Sequence, residues 1–263
     1  LLARTDMDAT KHDGLSYFII DMKQPGVETQ PLKQMNGYAS FNQVFLTDAE
    51  VLPDFQVAEL GDGWKVATTT LMHERRAADS LRAWGQVPDT DGPIYDQERA
   101  EVETTMAPYK WYPQRAGRVD LIMQRAKETG AIKDPAVRQE IAKLMTLHKS
   151  AEWTARRARS AQEQGKPQGP EGSLGKLAAS NVARAAAKVH TMISGADSML
   201  SGDDSPENGT VAEVLISFPA SSIAGGTDEI QKNIISERVL DMPKETRFDA
   251  GKPFKDIPRN TIS

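Results

Sequence analysis

Ile223-Ala224-Gly225-Gly226-Thr227-Asp228-Glu229-Ile230-Gln231-Lys232-Asn233-Ile234-Ile235-Ser236-Glu237-Arg238-Val239-Leu240 decides how this chain is read. The glycine pair breaks the backbone, and a helix starts directly behind it. Thr227 takes the N-cap, where its hydroxyl accepts an otherwise unpaired N–H of the first turn. Asp228 and Glu229 suit the positive end of the helix dipole. Ile230, Ile234 and Val239 recur near the helical period and are expected to form a buried stripe. A glycine pair before a helix commonly only turns the chain. Its free N–H groups can also receive an anion, with which the two carboxylates after Thr227 compete.

Composition bounds the rest. The chain has 263 residues, enough for one large domain or two modest ones. A formal net charge of −5 gives no support to a nucleic-acid surface. No apolar run approaches the length of a membrane span. Without cysteine there are no disulfides and no thiolate metal sites, which suits a reducing cytoplasm. His12, His73, His148 and His190 have no paired metal spacing. No secretory leader is visible. Leu1-Leu2-Ala3-Arg4 reads as a strand already under way, so the chain is expected to be the C-terminal piece of a longer one.

Residues 1 to about 57 read as β-structure. Leu15 to Met22 is a short apolar run stopped by Gln24-Pro25-Gly26, Val27 to Met35 is the expected return strand, and Phe41 to Leu46 follows. The period changes at Gly61-Asp62-Gly63-Trp64. From there the chain predicts helices over Trp64 to about Arg82, Arg118 to Lys127, Pro135 to about Gln164, Ser173 to Ser194, Val211 to Phe218, and the closing segment. Gln86 to Pro93 and Ser201 to Asn208 read as loops. Asp134-Pro135 is the clearest start, with a cap and a proline in the first turn. Long helices with short loops predict a mainly α chain: an up-and-down four-helix bundle preceded by part of an antiparallel β-domain. The expected division is 1–60, 61–243 and a polar tail, 244–263, loose or packed on a neighbour. Alanine-rich faces such as Ala178 to Ala187 are expected to bury against a partner.

The closing segment resembles the C-terminal signature of acyl-CoA dehydrogenases. Tyr17 to Met22, Pro25-Gly26-Val27, Phe41 to Phe45 and Gly61 to Ala67 resemble the end of that family's middle β-domain and the start of its C-terminal helices. The resemblance implies part of the middle domain and all of the C-terminal one. It also implies FAD as cofactor, an acyl-CoA substrate and electron-transfer flavoprotein as electron acceptor. The expected assembly is a homo- or hetero-oligomeric dimer of dimers, with neither nucleic acid nor a membrane span. Two flavin-binding segments of the family, Arg-Lys-x-Phe-Gly and Phe-Gly-Gly-x-Gly, are absent. Gly169 to Leu177 is similar to a divergent bacterial branch, some of whose members pair two different subunits.

Many members carry the catalytic base in Glu-Gly-Thr; the matching position here is Gly225. A second branch carries it on the first C-terminal helix, where the matching residue is Glu74. The residues offer independent support: Trp64, Ala67, Leu71, Glu74, Ala78 and Leu81 share one helix face. Burial disfavours a charged carboxylate, which is how enzymes tune one toward proton transfer. The alternative is a glutamate paired with Arg75, Arg76 or a neighbouring helix. The resemblance further assigns Arg75 to the substrate site, where a helix salt bridge competes as its role. It assigns the Gly225 N–H to the thioester oxygen, and Gly226, Thr227 and Glu229 to the flavin dinucleotide. Two other readings stand beside the enzyme: a partner subunit that does no chemistry, and a helical acyl-CoA-binding or scaffold module.

Overall fold

The computed structural model describes residues 1–84, 89–166, 169 and 171–258, without the side chains of residues 75–84, 108 and 171. Chain contacts divide it into two units. One is Leu1–Lys33 with Ala39–Ala107 and Glu245–Ser263; the other is Gln34–Tyr38 with Pro108–Lys244.

In the first unit a buried serine gathers the short strands. β1 (Leu2–Arg4) pairs antiparallel with β2 (Leu15–Phe18), and β2 pairs with β5 (Gln56–Val57). Ser16 on β2 is fully buried; its hydroxyl lies 2.6 Å from that of Thr5 and accepts the Gly61 N–H at 3.1 Å. α1 (Gly63–Trp84) begins against the same residue. A Cβ on Gly63 would stand 2.5 Å from the Ser16 carbonyl carbon, so only glycine lets the helix start there.

β3 (Val27–Leu32) does not return along β2. It pairs with β4 (Phe41–Leu46), Val27 opposite Leu46 and Leu32 opposite Phe41. Both edges of β2 are already taken, by β1 and β5. Gly26, at φ 85°, turns the chain away and accepts the Thr47 N–H at 2.8 Å. α2 (Pro93–Met106) buries none of its residues, so no apolar periodicity announces it. The tail folds back onto the loop after β1. Phe254 N–H donates to the Ala9 carbonyl at 3.0 Å, and Lys255 N–H to that of Met7 at 3.1 Å. The Arg4 guanidinium lies 3.6 Å from the Phe254 ring centroid. The described tail is therefore tied down rather than loose.

The second unit holds α3 (Tyr112–Arg115), α4 (Val119–Glu128), α5 (Pro135–Glu163), α6 (Glu171–Ser194), α7 (Thr210–Ser217) and α8 (Asp228–Arg238). α5 starts where Asp-Pro predicts: the Asp134 carboxylate accepts the Ala136 N–H at 2.7 Å. Its core joins Ile122 and Ala126 of α4, Val137, Ile141 and Leu144 of α5, and Val182, Ala186, Val189 and Ile193 of α6. α6 touches α4, α5, α7 and α8. Small side chains permit this. A Cβ on Gly117 would stand 2.7 Å from that of Ala186. The expected partner face at Ala178 to Ala187 is thus turned largely inward, with Ala183, Ala186 and Ala187 buried inside this unit. Loop Gln86 to Pro93 falls partly outside the described residues.

Candidate functional site

After α7 a tight turn, Phe218–Ser222, delivers the chain to the glycine pair. The Ala224 N–H donates to Ala220 at 2.9 Å. Gly225 and Gly226 then both adopt left-handed backbone, at φ 71° and 99°. Two consecutive residues in that region favour glycine strongly. Thr227 is extended and accepts the Ile230 N–H at 3.3 Å, as the sequence predicts for an N-cap. The N–H groups of Gly225 and Gly226 donate to no described residue. Gly225 is exposed, Gly226 and Thr227 are half-buried, and Glu229 is exposed on α8.

The turn is held by a polar row on α6. Lys176, Ser180 and Arg184 follow at four-residue steps and so share a face. The Lys176 ammonium and the Ser180 hydroxyl both donate to the Ser221 carbonyl, Ser180 at 2.7 Å. Arg184 Nη2 donates to Ser222 Oγ at 3.0 Å and to Asp228 Oδ2 at 3.1 Å. Gln231 Nε2 reaches the Gly225 carbonyl at 3.4 Å. Asp228 is 5% exposed. Burial alone would push its carboxyl up. The Ser180 hydroxyl, Arg184, the Ser222 hydroxyl and the Lys176 charge outweigh this and hold it below its ordinary value. Lys176 is itself pushed down by burial, with Asp228 opposing.

This arrangement corrects the expected stripe on α8. Ile230 and Val239 are 51% and 42% exposed and Ile234 is half-buried; the buried residues of α8 are Asp228 and Gln231. The start of the helix meets α6 through polar contacts at Asp228, which apolar periodicity does not register. Sequence reasoning gave Asp228 to the helix dipole and missed its partners. The available signal was the row Lys176, Ser180, Arg184 in an otherwise alanine-rich helix.

Glu74 lies on α1, in the first unit, and is exposed. On the same row Trp64 and Leu71 are 42% and 47% exposed, which corrects the expected burial of that face. α1 meets β1 and β2 near its start, and Trp64 stacks on His12 with ring centroids 4.3 Å apart. The side chains of Arg75, Ala78 and Leu81 lie outside the described residues. The structure thus brings Gly225, Gly226 and Thr227 into one turn with Glu229 just beyond, and puts Glu74 on an element of the other unit.

A second polar cluster is sealed between α4 and α6. Arg125 Nη1 donates to His190 Nδ1 at 3.2 Å, and Nη2 to Ser194 Oγ at 2.6 Å. Its Nε stands 3.4 Å from Glu207. His190 Nε2 faces the Gly117 and Arg118 carbonyls at 3.1 and 3.2 Å. The ring therefore donates through Nε2 and accepts at Nδ1, which is a neutral imidazole. Burial pushes His190 below its ordinary value. Among the described residues no group of three His, Asp or Glu is placed to hold a metal, and no helix is long and apolar enough to cross a membrane.

A short antiparallel β-segment followed by a helical bundle, with a capped glycine turn before the last helix, defines a C-terminal domain of the acyl-CoA dehydrogenase type. The sequence model "Acyl-CoA dehydrogenase, C-terminal domain" matches residues 115–240. Along most of its length the chain is similar to acyl-CoA dehydrogenases. It is 30% identical over 253 residues to the acyl-CoA dehydrogenase IpdE1 of Mycobacterium tuberculosis, across 94% of this chain and 56% of that protein. It is 31% identical to the acyl-CoA dehydrogenase FadE34 of the same organism, across 92% of this chain and 29% of that protein. The chain thus spans about half the length of IpdE1, 56%. In fold it is similar to the solved Tcur3481-Tcur3483 steroid ACAD, with a TM-score of 0.69 at 20% identity over 93% of this chain and 56% of that one. It is also similar to the ChsE4-ChsE5 complex from Mycobacterium tuberculosis, with a TM-score of 0.61 at 19% identity over 93% and 57%.

Proposed function

We propose that this chain is the catalytic C-terminal part of a flavin-dependent acyl-CoA dehydrogenase that introduces a double bond next to a thioester. The observation that carries this reading is the turn at Gly225-Gly226. Two adjacent N–H groups are free of described acceptors, at the mouth of a helix N-terminus. Such donors suit the oxygen of a thioester as it gains enolate character. In this reading the Gly225 N–H binds that oxygen, Glu74 removes the α-proton, and Arg75 lies at the substrate site.

The donor set behind the turn fits FAD. Gly226 offers an N–H, and Thr227, whose oxygen already accepts from Ile230, retains a hydroxyl proton to donate. Glu229 is exposed and accepts from hydroxyl or amine groups of the dinucleotide. FAD, when bound, supplies the acceptor for the β-hydride. We further assign residues 1–60 to the middle β-domain, 61–243 to the C-terminal bundle and 244–263 to a tail. The natural electron acceptor in this reading is electron-transfer flavoprotein, and the setting is the cytoplasm.

The test is Glu74→Gln in the full-length protein. Gln keeps size and hydrogen bonding but accepts no α-proton. Flavin bleaching by acyl-CoA should slow by about a hundred- to ten-thousand-fold, with acyl-CoA binding retained. Near-normal turnover per bound flavin would remove Glu74 from the role. A second reading is a partner subunit that completes another chain's site. It is favoured by the paired names of the similar solved structures, one of them called a complex. Visible flavin absorbance of the chain purified without a partner, bleached by acyl-CoA, separates the two.

A further inference from the structure

We infer that Asp228 is a positioning residue: with Arg184 and Lys176 of α6 it closes the segment 222–228 into a ring and thereby sets the direction of the Gly225 N–H. The inference rests on the proposed role of that N–H.

Two adjacent glycines have more backbone freedom than any other pair, and they gain no direction from their own side chains. An N–H that must meet a developing charge has to be aimed beforehand, because preorganisation is what makes such donors effective. The aim must therefore come from outside the pair. The apolar residue of α8 that follows the glycines most closely, Ile230, does not provide it, since it is 51% exposed. The polar ones do. A single guanidinium nitrogen, Arg184 Nη2, holds Ser222 Oγ at 3.0 Å on one side of the glycines and Asp228 Oδ2 at 3.1 Å on the other. Lys176 fastens the upstream end through the Ser221 carbonyl and stands 4.0 Å from Asp228 Oδ1. Oδ1 is buried and accepts no hydrogen bond from a described residue, and the Lys176 charge adds to the hydroxyls and Arg184 in holding the carboxylate ionised. Gln231 completes the ring by reaching the Gly225 carbonyl at 3.4 Å.

A carboxylate buried only to stabilise α8 would affect folding and leave the electronics of a bound thioester alone. A carboxylate that aims the N–H would change both. The measurement is the infrared carbonyl stretch of a bound 2-enoyl-CoA labelled with carbon-13 at the thioester carbonyl. It uses the full-length protein and the enoyl product of an acyl-CoA that the wild type oxidises. Three variants are compared: Asp228→Ala, Asp228→Asn, and Arg184→Ala, the last removing a half-exposed side chain. Wild type should shift the stretch below its value in water. Asp228→Ala and Arg184→Ala should return it toward that value and slow flavin reduction by about ten- to a hundred-fold at little-changed KM. The double Ala variant should be no worse than the poorer single one, because both break one ring. An unchanged stretch in folded, flavin-loaded Arg184→Ala overturns the inference alone. An unshifted stretch in wild type overturns the role of the Gly225 N–H itself. Asp228→Asn, which keeps shape and loses charge, should fall between wild type and Asp228→Ala; if it matches wild type, the Lys176 charge has no part.

Discussion

At the scale of single residues, His190 is the most constrained group. Its Nδ1 accepts from Arg125 at 3.2 Å, so a second ring proton would face a guanidinium already in place. Burial lowers its pKa from the ordinary 6.5, with the two backbone carbonyls opposing. A group with a depressed folded pKa stabilises the fold above its unfolded pKa. That contribution drains away as pH falls through 6.5 toward the folded value. Melting midpoints should therefore drop between pH 7 and about pH 5, and His190→Gln, which donates and accepts without titrating, should flatten that drop. Equal slopes for both proteins would assign the acid sensitivity elsewhere. Neither His190 nor Asp228 was legible as a network member. His190 sits 65 residues from Arg125 and Asp228 sits 44 from Arg184, separations that no periodicity encodes. Thr227 was legible, because a cap acts within three residues of itself.

At the scale of elements, the strength of the local signal decided what could be read. α5 carried a cap and a first-turn proline, and the structure starts it at Pro135 with Asp134 accepting from Ala136. Asp134→Ala should cost about 1 kcal/mol, measured as a lower urea midpoint with unchanged slope. No change would mean that Pro135 alone fixes the start. α2 leaves no apolar signature in the sequence because it buries nothing. β3 is legible as a strand but its neighbour is not, since pairing depends on which edges remain free and not on the strand itself. α8 has the cap that the sequence predicts, but its start docks on α6 by hydrogen bonds, with Asp228 and Gln231 buried, Ile230 exposed and Ile234 only half-buried.

At the scale of the whole molecule, the outward apolar residues around α8 carry the next expectation. Ile223, Ile230, Leu240 and Met242 are each more than half exposed, at 65%, 51%, 64% and 52%. Exposed apolar side chains, where they join into one patch, mark surfaces that meet another protein. The full-length protein should be multimeric, a dimer of dimers by light scattering; a monodisperse monomer would contradict this. A mainly α chain with an antiparallel start was legible from period and punctuation alone, whereas the division of α6 between an inward alanine face and a polar row was not. That helix also has a consequence for how the unit breathes. Since α4, α5, α7 and α8 all touch it, unwinding its centre breaks contacts with several neighbours at once. In deuterated water the amides near Val182 to Val189 should be the last of this unit to exchange, at rates set by its global opening. Those of α8 should exchange far earlier, through partial openings that leave the α4–α5–α6 core closed.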